Sequence, residues 1–129
     1  MRLSRSAALM VLAAALCSSE ARAQAQSITV TLSSYDFMPD IVSLNTGIDY
    51  RLHLVNGSSR DHSFSAPEFF AASTVDAQDQ SKVVKGTVEV PANAAVDVAL
   101  KPNGRGTYAL RCDHFFHAVL GMTGRIAVQ

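Results

Sequence analysis

From residue 28 onward, apolar and polar positions alternate along the chain in short runs. Ile28, Val30 and Leu32 alternate with Thr29 and Thr31. Ile48, Tyr50, Leu52 and Leu54 alternate with Asp49, Arg51 and His53, and Val96, Val98 and Leu100 alternate with Asp97 and Ala99. A period of two places every second side chain on one face, which is the mark of a half-buried strand. Ile41–Leu44, Val83–Val90, Thr107–Cys112 and Gly124–Gln129 add further strand segments. Asn45-Thr46-Gly47, Asn56-Gly57 and Lys101-Pro102-Asn103-Gly104 separate them as turns. Pro67–Ser73 is the one stretch that reads as a short helix, with proline suited to its first position. The pattern predicts an all-β fold: an antiparallel sandwich or barrel of seven to eight strands with at most one short helix.

The first 23 residues break this pattern. Arg2 and Arg5 precede an apolar run, Ala7–Leu16, that is too short to span a bilayer. Ala21-Arg22-Ala23 then supplies small residues at the spacing of a signal-peptidase site. We expect a secretory signal peptide over residues 1–23, a single domain over 24–129, a periplasmic location and no membrane anchor after cleavage. Lipidation at Cys17 is disfavoured because Leu16 before it is large.

Composition changes once the leader is set aside. The chain has 129 residues, with 11 basic and 11 acidic side chains. The leader removes three of the basic and one of the acidic residues, leaving 106 residues with eight basic and ten acidic. A slightly acidic domain with scattered charges argues against nucleic acid as a partner. Of the two cysteines, Cys17 leaves with the leader and Cys112 remains. In an oxidising compartment that thiol is buried and inert, joined to another chain, a nucleophile or a metal ligand. The strand period puts Cys112 on the same face as Tyr108 and Leu110, the inward one.

Cys112 opens the run Cys-Asp-His-Phe-Phe-His-Ala-Val-Leu-Gly-Met-Thr-Gly, in which Cys112, His117 and Met122 follow a Cys-x4-His-x4-Met spacing between two strands. His62 lies upstream, after its own strand and turn. A thiolate, two imidazoles and a thioether suit neither calcium nor magnesium, which want oxygen ligands. A structural zinc site more often adds cysteines or histidines. His₂Cys with a weak axial methionine is an electron-transfer copper set. A nucleophilic Cys112 beside His117 would leave Met122 unexplained and lacks an evident oxyanion-hole or substrate-pocket motif.

The sequence resembles the cupredoxins, small blue-copper proteins with a Greek-key β-sandwich. The resemblance rests on Phe37-Met38-Pro39 before a strand and Gly47, on Asn56 before His62, and on Tyr108 four residues before Cys112. The closing Gly121-Met122-Thr123-Gly124 adds to it. The ligand spacing is similar to the rusticyanin-like branch. The resemblance implies His62, Cys112 and His117 as equatorial ligands and Met122 as the axial one. They would hold one copper ion cycling between Cu(I) and Cu(II). It also implies a hydrogen-bonded latch between Ser63 and Asp113, each of which follows a ligand. Many relatives carry Pro-Gly before the second histidine; here Phe115-Phe116 stand there, and His114 is added.

These features predict a non-enzymatic, monomeric one-electron carrier. Redox partners would dock near His117, where Phe115, Phe116, Ala118, Val119 and Leu120 offer apolar surface. The alternative is a periplasmic copper-handling protein, a chaperone or tolerance factor, exchanging the ion with donor or acceptor proteins through the same ligands. His114 is expected at the surface or beside the ligands rather than among them, and His53 on a solvated strand face. Phe64, Phe69 and Phe70 would either extend the apolar rim or seal the site.

Overall fold

A computed structural model describes residues 24–114 and 120–129. Among them are ten strands: β1 (Gln26–Ser33), β2 (Asp36–Met38), β3 (Ile41–Leu44), β4 (Tyr50–Asn56), β5 (His62–Ser65), β6 (Ser73–Val75), β7 (Thr87–Val90), β8 (Ala95–Pro102), β9 (Gly106–Arg111) and β10 (Thr123–Val128). They form two five-stranded sheets, ordered β2-β1-β4-β8-β6 and β3-β10-β9-β5-β7. The β-sandwich is as the alternation predicts, but with ten strands rather than seven or eight. Two pairings, β1 with β4 and β10 with β3, are parallel. Side-chain alternation reports which face is buried and carries no information about strand direction, so these were invisible to the periodicity.

The two inner faces meet in one core. Val30, Leu32, Leu52, Leu54, Val98 and Leu100 come from the first sheet; Val42, Leu44, Val88, Val90, Leu110 and Ile126 come from the second. All are buried, and each such side chain stabilises the fold by about 1.5–3 kcal/mol relative to exposure. The helix α1 spans Pro67–Ala71, with proline in its first turn. It buries Phe69 and Phe70, and Ser73 Oγ donates to the Phe69 carbonyl at 2.8 Å, closing its C-terminal end. Phe37, Phe64, Phe70, Phe69 and Tyr108 form a continuous series of edge-on ring contacts through the core.

Beyond β6, side chains and loop backbone take over the edge of β8. Asp76 N–H donates to the Ala99 carbonyl, and Ala99 N–H donates to Asp79 Oδ2, both at 2.9 Å. Lys82 Nζ lies 2.7 Å from Asp79 Oδ1 and donates to the Asp97 carbonyl at 2.8 Å. The Lys82 hydrogen bond, then the Ala99 amide, hold the Asp79 carboxyl below its ordinary 3.8. A carboxylate with a lowered folded-state pKa contributes stability above the unfolded value and loses it as pH falls through the folded one. Asp79→Ala should therefore cost about 1–2 kcal/mol in urea unfolding at pH 7. The deficit should shrink once the pH is taken below 3.8; a deficit unchanged in acid would show that the ionised carboxylate is not its source.

Candidate metal centre

Four positions singled out by the sequence divide into three that the structure describes and one, His117, that lies outside the described residues together with Phe115, Phe116, Ala118 and Val119. The leader, residues 1–23, also lies outside them. The three described residues meet at one end of the second sheet.

His62 is the first residue of β5, and the turn before it is built around Asn56. The buried Asn56 side chain donates to the carbonyls of Arg60 (2.7 Å) and Val90 (3.0 Å). Its oxygen accepts from Ser58 N–H and Ser58 Oγ. Asp61 Oδ1 accepts from Ala92 N–H at 2.9 Å, fastening the same turn to the loop after β7. The chain thus enters β5 in a fixed frame, and His62 is only 1% exposed.

Cys112 directly follows β9 and Met122 directly precedes β10. These strands are antiparallel neighbours with Arg111 opposite Thr123, so the two residues lie across from each other at the mouth of the hairpin. Cys112 N–H donates to the Met122 carbonyl at 3.1 Å. Gly124 permits a close approach beyond this point: a Cβ there would sit 2.5 Å from the Asp40 carbonyl oxygen, which accepts from Arg125 N–H. Cys112 and Met122 are both fully buried, as the period of β9 predicts for the cysteine.

Ser63 joins the two segments. Its backbone N–H and its hydroxyl donate to Cys112 Sγ at 3.5 and 3.7 Å. The Ser63 oxygen in turn accepts from Asp113 N–H at 2.7 Å. The expected latch is present, and its Asp113 half is the backbone amide rather than the carboxylate. Two donors aimed at one sulfur fit a thiolate, which accepts strongly and is the form in which cysteine binds metals. A buried cysteine sulfur, thioether and imidazole fit a soft or borderline ion such as copper. Among the described residues, no group of three or more His, Cys, Asp or Glu side chains gathers as a metal cage. His62, Cys112 and Met122 are the candidate ligands that β5, β9 and β10 bring to this end of the sheet.

The remaining histidines lie elsewhere. His53 is half-exposed on the outer face of the first sheet, with Nδ1 2.5 Å from Asp97 Oδ1 on β8. His114 Nε2 lies 3.0 Å from Glu89 Oε2 on β7. The sequence reading missed Glu89, because nothing local in Glu89 or His114 announces a contact 25 residues apart. Phe64, Phe69 and Phe70 are buried in the core. Leu120, in contrast, is 60% exposed, two residues before Met122. No helix among the described residues is long and apolar enough to cross a membrane.

No curated protein matches the sequence. A profile of the family described as a cupredoxin-like domain matches residues 6–128. Among solved structures, auracyanin B is similar at 19% identity with a TM-score of 0.59, over 81% of this chain and 89% of that one. Reduced auracyanin from the photosynthetic bacterium Roseiflexus castenholzii is similar at 12% identity with a TM-score of 0.61, over 81% and 98%. A multicopper oxidase from the hyperthermophile Aquifex aeolicus is similar at 17% identity with a TM-score of 0.63, over 81% of this chain but 29% of that one. At these identities the likeness is one of fold.

Proposed function

The chain belongs to the cupredoxin-like domain family, and from that premise we propose that it is an exported one-electron carrier with one copper ion held by His62, Cys112, His117 and Met122. The observation that carries this reading is the buried Cys112 sulfur, which faces two Ser63 donors and shares a hairpin mouth with Met122. One of the similar structures is an auracyanin reduced with dithionite, so a protein of this shape takes up electrons.

A copper ion bound there supplies the one-electron couple, Cu(I)/Cu(II). The chain's own residues supply the rest. The thiolate, imidazole and thioether hold the ion in place of water, since His62, Cys112 and Met122 have almost no solvent contact. Ser63 fixes the distance between the His62 and Cys112 segments, so the ligands keep their places when the charge changes. Hydrogen bonds to the sulfur draw electron density from it and set the potential, together with the dry surroundings. Cys112 is continuous with β9, giving a covalent path away from the site. The exposed Leu120 beside Met122 belongs to the surface on which redox partners dock near His117. Residues 1–23 direct the chain to the periplasm and are removed.

Titration of the metal-free domain with copper tests this reading. The expected result is one equivalent bound, an intense visible band, the EPR signal of a copper–thiolate centre and a reversible voltammetric couple. Copper that binds without a reversible couple and passes readily to an acceptor would favour copper handling instead. Absence of binding would sink both.

A further inference from the structure

Ser63 and Glu89 are directly opposed in the β5–β7 pairing. Residues opposed across an antiparallel ladder present their side chains on the same face. The next pair along, Ser65 and Thr87, confirms the face: their hydroxyls meet at 2.8 Å. The three consecutive residues that follow β9 fasten to the first of these pairs. Cys112 Sγ accepts from Ser63, Asp113 N–H donates to Ser63 Oγ, and His114 Nε2 meets Glu89 Oε2 at 3.0 Å. Ser63 is wholly buried, whereas Glu89 and His114 reach the surface. The attachment therefore has an inner point at Ser63 and an outer point at Glu89.

We propose that Glu89 and His114 are positioning residues: together they form the outer half of a clamp that holds the chain leaving Cys112 against the β5–β7 edge. The inner point alone leaves a hinge, because a segment fixed only at Cys112 and Asp113 can still swing about the Ser63 hydroxyl. A second point one residue farther along removes that rotation. The need is concrete in this sequence, since Phe115-Phe116 follow and neither residue restricts the backbone as proline does. Among the described residues β7 lies at the sheet edge beside β5, and the Asn56 side chain donates to its Val90 carbonyl. The Glu89 contact thus ties the edge to the site as well as the site to the edge.

The role of the clamp in copper retention rests on the proposed function; its role in holding the chain does not. A double-mutant cycle with Glu89→Ala and His114→Ala separates the two. In the metal-free protein, each single variant should speed amide exchange at Asp113 by roughly two- to ten-fold, the range of one hydrogen bond. In the copper-loaded protein, each should raise the rate at which a Cu(I) chelator strips the metal by a similar factor. The double variant should do no more than either single one. Glu89→Gln should stay close to wild type, because the amide still offers an oxygen to the imidazole. Unchanged Asp113 exchange in Glu89→Ala, or a double variant whose effect is the product of the singles, would overturn the proposal. If the wild-type protein binds no copper, the functional reading fails and the exchange measurements alone decide the clamp.

Discussion

Replacing Cys112 by serine should abolish the intense visible band of the copper-loaded protein and weaken copper binding by more than roughly 100-fold. That bound is the upper end of what is lost when a residue supporting a ligand is removed, and here the proposed ligand itself goes. A serine hydroxyl is a hard, weakly acidic donor that gives no copper–thiolate charge transfer. The fold should survive, because the substitution is nearly isosteric and the Cys112 N–H bond to the Met122 carbonyl is made by backbone. Ser63 would then donate to an oxygen instead of a sulfur. Visible spectra and copper titration of the two proteins, with far-ultraviolet circular dichroism as the folding control, decide the matter. A serine variant with the wild-type colour would remove Cys112 from the ligand set, and with it the electron-carrier reading.

The largest stability effect is expected at Gly86. Its φ is +74°, in the region L residues rarely adopt, and a Cβ there would lie 2.3 Å from Pro67 Cα and 2.8 Å from Pro67 Cβ. Neither atom can rotate away, since one is backbone and the other is in a closed ring. Gly86 also accepts the Ala66 N–H at 2.9 Å, so the contact lies where α1 begins. Relief would require α1 to move, and α1 carries the buried Phe69 and Phe70. Backbone strain and overpacking together should cost Gly86→Ala about 3 kcal/mol or more. For a domain of this size the melting temperature should fall by more than about 12 °C. Gly57→Ala is the matched control, with no positive φ and nothing within 4 Å of the new Cβ. Equal melting temperatures for the two variants would contradict the argument.

The sequence made the half-buried strands legible because Leu52, Leu54, Val98 and Leu100 alternate with polar neighbours. It hid β5, His-Ser-Phe-Ser, whose single apolar residue shows no apolar–polar period. It also hid β2 and β6, three residues each, which are too short to display a period. Val83–Val90 reads as one strand from its β-branched residues. The chain instead reverses at Lys85-Gly86, both at positive φ, and only Thr87–Val90 forms β7. Of the candidate site, the inward direction of Cys112 followed from the period of β9. The latch followed from resemblance and is made by Ser63 with a backbone amide. The Glu89–His114 contact depends on which residue of β7 stands opposite Ser63, and register between strands is a tertiary property.

The sheet order β3-β10-β9 carries a consequence for timing. A ribosome or a translocation channel delivers the chain from its N-terminal end, so His62 and Cys112 emerge before β10 does. Until Thr123–Val128 arrive, β3 and β9 have no common neighbour, and the hairpin that sets Met122 across from Cys112 has only one arm. Pairing of β10 with β3 then joins residues as distant as Ile41 and Arg125, the kind of long-range closure that folds in milliseconds to seconds rather than microseconds. On the proposed copper reading, a chain that meets the ion while still being threaded offers it a thiol and an imidazole but not the completed ligand set.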